Sequence, residues 1–346
     1  MKPILFGCSG PTLTQEESGF FAETNPFGFI LFQRNCETPD QVRQLTRGLR
    51  QVVNRNDAPI FIDQEGGRVA RLKPPHWPSL APMRDIGELY EKNPEQGLEA
   101  MKFHARTTAK MLTDLGINGN CAPVLDLFIE GASSVIGDRA FSAKPDVIAA
   151  LGRVAVDTYL ENGVFPVIKH LPGHGRVKAD PHLTLPTVET ERALLEAQDF
   201  SPFIALKDAP IGMNSHIVFT ALDPDAPVSL SPIVHQEIIR GALGFQGLLF
   251  SDDLAMKALS APGGRIPLPS REGLGEGECG LDEAPKSNLD ELALRALWAG
   301  ADIVLYCPGT LPEMRLIADA LPAIGSTSLA RWQRAQAAVS NGTQTA

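Results

Sequence analysis

Short β-branched and apolar runs recur along the chain, bounded by polar, glycine or proline residues. They are ILFG (4–7), GFILF (28–32), PIFID (59–63), APVLD (122–126), FPVIK (165–169), PIGMN (210–214), GLLFS (247–251) and ADIVLY (301–306). Each has the length and composition of a buried β-strand. Between them lie segments of helical periodicity, 95–116, 145–163 and 288–300, each closing near a glycine as helix C-termini do. Strands alternating with helices predict a parallel sheet, and eight such units in one chain of this size predict a closed (β/α)8 barrel. The expected class is therefore α/β, a single-domain TIM barrel over 1–346. An open doubly wound sheet is the structural alternative, but no GxGxxG follows an early strand, so nothing points to a dinucleotide. No fixed-period repeat suggests a solenoid.

Polar residues fall where a barrel enzyme needs them. FID ends in Asp63, VLD in Asp126, VIK in Lys169 with His170 next, GMN in Asn214 with His216 just beyond, and LLFS in Ser251 followed by Asp252. In a (β/α)8 barrel the strand C-terminal ends converge under the βα loops, over a rigid core. One stretch breaks the pattern: 261–288 holds six glycines and four prolines with almost no hydrophobic periodicity. It reads as a disordered insertion rather than a lid, because a lid carries apolar residues with which to close. The barrel is expected to resume at Asn288, as N-cap of the last periodic segment.

Composition narrows the setting. The chain has 346 residues, 43% of them hydrophobic, and no apolar run long enough to span a bilayer, so it reads as soluble and globular. Its first apolar run stops at Gly7, too short for a secretory signal, and a cytoplasmic protein is expected. Five scattered cysteines without a CxxC pair suggest neither a disulfide framework nor a cysteine zinc site. A net charge of −10 without a basic cluster argues against nucleic acid. No cofactor, membrane contact or obligate protein partner is implied.

The richest stretch is KHLPGHGRVKADPHLTLP (169–186), with three histidines, two lysines and an aspartate. His170 and His174 have HxxxH spacing, which shares a face only in a helix, and Pro172, Gly173 and Gly175 oppose one. A metal site is disfavoured. Asp180 and His182, one residue apart, share a side in an extended or turn conformation. The carboxylate can then orient one ring nitrogen while the other faces substrate, forming an acid/base dyad.

Together FIDQEGGRVARL (61–72), GDRAF (137–141), IKHLPGHGRVKADPHLTLP (168–186) and FSDDLAM (250–256) resemble the signatures of family 3 glycoside hydrolases, specifically the bacterial β-N-acetylhexosaminidases of peptidoglycan recycling. The likeness runs from the first strand to about Cys307, leaving out the 261–288 insertion. Leu171 stands where Phe is common and Pro181 where Ser is usual; Pro181 restricts the residue before it to an extended path. The resemblance implies Asp252 as nucleophile, His182 as general acid/base with Asp180 as its partner, and Asp63, Arg71, Arg139, Lys169 and His170 as sugar-binding residues.

The implied chemistry is retaining glycoside hydrolysis through a glycosyl-enzyme ester, and a neutral histidine base repels an anionic aglycone less than a glutamate would. Asp253 is the rival nucleophile, set aside because neighbouring residues at a strand end point opposite ways. Gly66 and Gly67 read as serving turn geometry alone. The expected activity is removal of terminal N-acetylglucosamine from muropeptide fragments, with no metal and no cofactor. The alternatives are a phosphorylase on the same scaffold and a non-catalytic barrel.

Overall fold

The computed structural model describes residues 1–178, 185–256, 259 and 288–345. Asp180, His182 and 261–287 therefore lie outside the described residues. Among the described residues ten strands are formed: β1 (Lys2–Gly7), β2 (Pro26–Leu31), β3 (Ile60–Ile62), β4 (Gly119–Asn120), β5 (Phe165–Leu171), β6 (Thr187–Val188), β7 (Ile211–Asn214), β8 (Val218–Phe219), β9 (Leu248–Asp253) and β10 (Ile303–Tyr306). Eight of them close a barrel in the order β1-β10-β9-β7-β5-β4-β3-β2, every pair parallel. The expected (β/α)8 fold is present.

The fourth strand corrects the reading of 122–126. Pairing occurs at Gly119–Asn120, where Ile62 is opposite Asn120, and resumes only as a single bridge between Val124 and Lys169. Pro123 interrupts it, because it has no N–H to give to the ladder. Two further short strands, β6 and β8, were not foreseen; they pair with each other outside the barrel.

The strands read as unbroken apolar runs because both faces are covered. Leu5, Phe61, Val167, Ile211, Phe250 and Ile303 fill the barrel interior, while the alternate residues Phe6, Ile62, Ile168, Leu249 and Val304 pack outward under the helices. Across the interior the Phe61 and Phe250 rings meet edge to face, 5.2 Å between centroids. Trp332, from the C-terminal helix Ser326–Thr345, plugs the N-terminal end by packing on Phe27 and Phe165.

The helices follow local signals. Pro39, Pro94 and Pro145 open the helices Pro39–Val52, Pro94–Thr113 and Pro145–Glu161, where a missing N–H costs nothing. Gly116, Gly163 and Gly300 follow three helix ends with positive φ, which an L-residue adopts at a cost. Asn288 does occupy the N-cap position of helix Leu289–Ala299, but its side chain makes no capping hydrogen bond. Asp290 and Glu291 supply the favourable negative charge in that first turn.

Candidate active site

At the C-terminal mouth of the barrel lies a pocket of about 350 Å³, lined among others by Phe32, Asp63, Arg71, Lys169, His170 and Asp252. Phe32 follows β2, Asp63 and Arg71 follow β3, Lys169 and His170 lie near the end of β5, and Asp252 lies at the end of β9. A chain of alternating charges crosses the mouth. Arg71 Nη2 donates to Asp63 Oδ2 at 2.9 Å, and Lys169 Nζ donates to Asp63 Oδ1 at 2.9 Å. Lys169 also lies 2.7 Å from Glu65 Oε1, and Arg139 grips Glu65 through two bonds of 2.8 Å.

Burial is what makes this chain consequential. The side chains of Lys169 and Glu65 are 3% and 2% exposed, so neither charge is tolerable without its partners. Burial alone would strip Lys169 of its proton, but the carboxylates of Asp63 and Glu65 outweigh it and hold the ammonium above the ordinary lysine range. Burial likewise pushes Asp63 and Glu65 up. The cations Lys169 and Arg71 on the one, and Arg139 and Lys169 on the other, win and keep both carboxyls well below their usual values. Arg71, 28% exposed, still offers donors to the pocket, and its guanidinium lies over the Phe32 ring at 5.3 Å.

A tight loop presents Asp63, Glu65 and Arg71. Gln64, fully buried, accepts from the backbone N–H of Arg71 and of Leu72 and donates to Leu72 O, closing the loop on itself. Asn120 of β4 then bonds both the N–H and the carbonyl of Gln64. Gly66, at φ +107°, serves geometry as expected: a Cβ there would stand 2.5 Å from Ala81 O.

The two described histidines of the 169–186 stretch do not share a helical face. His170 lies in β5, and its Nδ1 is 2.7 Å from Asp126 Oδ2. The backbone N–H groups of His170 and His174 both donate to Asp126 Oδ1, at 3.2 and 2.7 Å. Burial would raise the Asp126 carboxyl, yet His170 and these bonds hold it below the usual range. His174 is buried, with Nδ1 unpartnered among the described residues; desolvation first and His170 second push its pKa down to about 4, so its ring is neutral.

The two acids that end β9 differ in what holds them. Asp253 Oδ1 accepts from the N–H of Ala255 and of Cys307, both at 3.1 Å, tying the ends of β9 and β10 together. Burial, opposed by those bonds and aided by repulsion from Asp252, pushes its pKa up to about 6. The Asp252 carboxylate accepts, among the described residues, one hydrogen bond, from the N–H of Asp253 at 2.8 Å. Its other oxygen has no hydrogen-bond partner among the described residues, and the side chain lines the pocket.

Comparison with known proteins gives this arrangement a context. The glycosyl hydrolase family 3 N terminal domain matches residues 12–341. The chain belongs to that family. As a family 3 member it is a glycoside hydrolase, and the curated relatives it matches are covered over most of their length. A Beta-hexosaminidase of Alkalilimnicola ehrlichii is 35% identical over 318 residues, 91% of this chain and 83% of the relative. One of Stenotrophomonas maltophilia is 36% identical over 330 residues, 94% and 88% of the two. The crystal structure of NagZ from Neisseria gonorrhoeae in complex with N-trifluoroacetyl-D-glucosamine superposes with a TM-score of 0.82 at 28% identity, covering 99% of this chain and 94% of that one.

In the family 3 pocket, six of the eight residues singled out from sequence come together: Asp63, Arg71, Arg139, Lys169, His170 and Asp252. The other two, Asp180 and His182, lie outside the described residues. Sequence reasoning missed Glu65, the acid between Lys169 and Arg139. Its signal was present, since in an extended segment Glu65 falls on the same side as Asp63, two residues away. Asp126 was noted only as a strand end, although it orients His170.

Proposed function

We propose that this family 3 hydrolase is a retaining β-N-acetylglucosaminidase. It would remove terminal N-acetylglucosamine from GlcNAc-1,6-anhydroMurNAc fragments in peptidoglycan recycling, in the cytoplasm, with 1–346 as one catalytic domain. The observation that carries the reading is Asp252, a carboxylate with a single backbone partner among the described residues, at the edge of a pocket crossed by paired charges. The β-hexosaminidase class is supported by relatives bearing that name, and the amino-sugar specificity by the ligand in the Neisseria NagZ complex. Among the described residues no helix is long and apolar enough to cross a membrane.

In this reading the sugar sits against Asp63, Arg71, Arg139, Lys169 and His170, whose ion pairs with one another, with Glu65 and with Asp126 fix their directions before it arrives. Asp252 attacks the anomeric carbon, the glycosidic C–O bond breaks, and His182 gives its proton to the departing oxygen, forming a glycosyl ester. His182, now neutral, takes a proton from water, which displaces Asp252 and releases the sugar with retained configuration. Asp180 orients the His182 ring. The test is turnover of a chromogenic β-N-acetylglucosaminide by Asp252→Ala, with and without azide. Loss of activity with partial rescue as the glycosyl azide is expected; near-normal activity in the variant would refute the assignment. Product analysis with and without phosphate separates hydrolase from phosphorylase.

A further inference from the structure

His216 has no task in these assignments, yet it is 3% exposed and placed against the end of β9. It follows β7, and its Nε2 lies 3.0 Å from the backbone carbonyl of Asp253. A carbonyl only accepts, so Nε2 carries the proton. On the other side of the ring, Nδ1 is 2.6 Å from Ser229 Oγ. Burial pushes the pKa of His216 down, which keeps the ring neutral and leaves the Nδ1 lone pair to accept from the Ser229 hydroxyl. Ser229 is itself held, because its N–H donates to Ser215 O.

Several groups at the end of β9 are thus fixed. Ser251 Oγ accepts from Leu305 N–H, Asp253 Oδ1 from Ala255 and Cys307, and Asp253 O from His216. Between them, the Asp252 carboxylate accepts one hydrogen bond among the described residues, from Asp253 N–H. The same segment reaches the other half of the chemistry: β8, two residues after His216, pairs with β6, and Val218 N–H donates to Pro186 O at the end of the 169–186 stretch.

We propose that His216 is a positioning residue: by clamping the Asp253 carbonyl it sets the direction of the Asp252 carboxylate, and segment 214–219 keeps that strand end in register with the anchor of the acid/base loop. The proposal rests on Asp252 being the nucleophile. His216 does not line the sugar pocket, so its contribution falls on the covalent step and spares sugar affinity.

The experiment compares His216→Ala, His216→Gln and Ser229→Ala for kcat and KM on an aryl N-acetylglucosaminide, for GlcNAc affinity by calorimetry, and for Tm. His216→Ala should lower kcat about 10–100-fold, the cost of a nucleophile misplaced by around an ångström, with GlcNAc affinity changed less than about twofold. Gln carries an amide N–H near the place of Nε2 and should recover most of the loss; Ser229→Ala should fall between. Unchanged kcat, a parallel loss of kcat and GlcNAc affinity, or Gln no better than Ala would each overturn the proposal. Should His216→Ala not fold, normal kcat in Ser229→Ala, or loss of GlcNAc affinity along with kcat in His216→Gln, overturns it equally. Azide rescue of Asp252→Ala is run alongside. Failed rescue removes the nucleophile reading, whereas rescue with normal kcat in the His216 variants removes this proposal alone.

Discussion

Replacing Glu65 by alanine tests whether the charge chain at the barrel mouth is built as described. Glu65 holds Arg139 by two bonds of 2.8 Å and Lys169 at 2.7 Å, and its side chain is 2% exposed. Without it, Lys169 is left sharing the carboxylate of Asp63 with Arg71, and Arg139 keeps, among the described residues, only Val135 O at 3.2 Å. Breaking a buried pair by removing one partner costs about 3–5 kcal/mol, because the other charge stays buried. At roughly 2.1 cal/mol/K of unfolding entropy per residue, a chain of 346 residues loses about 4–7 °C of Tm. The control is Asp138→Ala, which removes the partner of Arg68 in a pair whose side chains are 41% and 47% exposed. Such pairs contribute about 0–1 kcal/mol, so its Tm should move by no more than about 1–2 °C. Calorimetry on both variants decides the matter. Equal shifts would mean that Glu65 is no more tightly bound into the fold than a surface acid, and the reasoning about burial would fail.

The other predictions use the same groups. Glu65 has an ordinary value of 4.5, lowered to about 2 in the fold, so its stabilisation is complete above pH 4.5 and is lost as pH falls toward 2. Acid titration of stability should accordingly be shallower in that window for Glu65→Gln, and an unchanged slope would contradict it. Asp253 runs the other way. Raised from 3.8 to about 6, it binds a proton on folding in that window, so its effect on stability worsens as pH rises from 3.8 to 6. Asp253→Asn keeps an Oδ1 acceptor for Ala255 and Cys307, so it should gain stability relative to the parent above pH 6 and retain turnover. Loss of turnover as deep as in Asp252→Ala would revive Asp253 as nucleophile. His182→Ala should harm substrates with poor leaving groups ~10²–10⁴-fold more than activated aryl glycosides, and show a burst with the latter. Equal losses without a burst would mean that the acid lies elsewhere, with His174 or Asp253 next in line.

The barrel was legible because its strands are buried on both faces and so stand out as apolar runs between amphipathic helices. Where the pattern thinned, the reading slipped. Around 119–126 the apolar run continues past the paired residues, and Pro123 breaks the ladder in a way hydrophobicity does not register. β6 and β8, two residues each, are too short to carry any period. Within the site, residues that point at the pocket announced themselves as charges at strand ends. Those that hold them did not. Gln64 and Asn120 look like ordinary polar residues until the fold buries them and supplies their bonds, and Asp126 shows its purpose only when β5 brings His170 beside it. Long-range partners of this kind are set by barrel closure, which local sequence does not encode.

The central claim is that Asp252 forms a covalent bond to the sugar during turnover. The most direct measurement is acid quenching of His182→Ala during turnover of an aryl N-acetylglucosaminide, followed by intact-mass analysis and peptide mapping. The account predicts an added mass of one N-acetylhexosaminyl residue, located on the peptide at Asp252 and absent in the Asp252→Ala double variant. A burst with no adduct, or an adduct mapped to Asp253 or to any other residue, would contradict it.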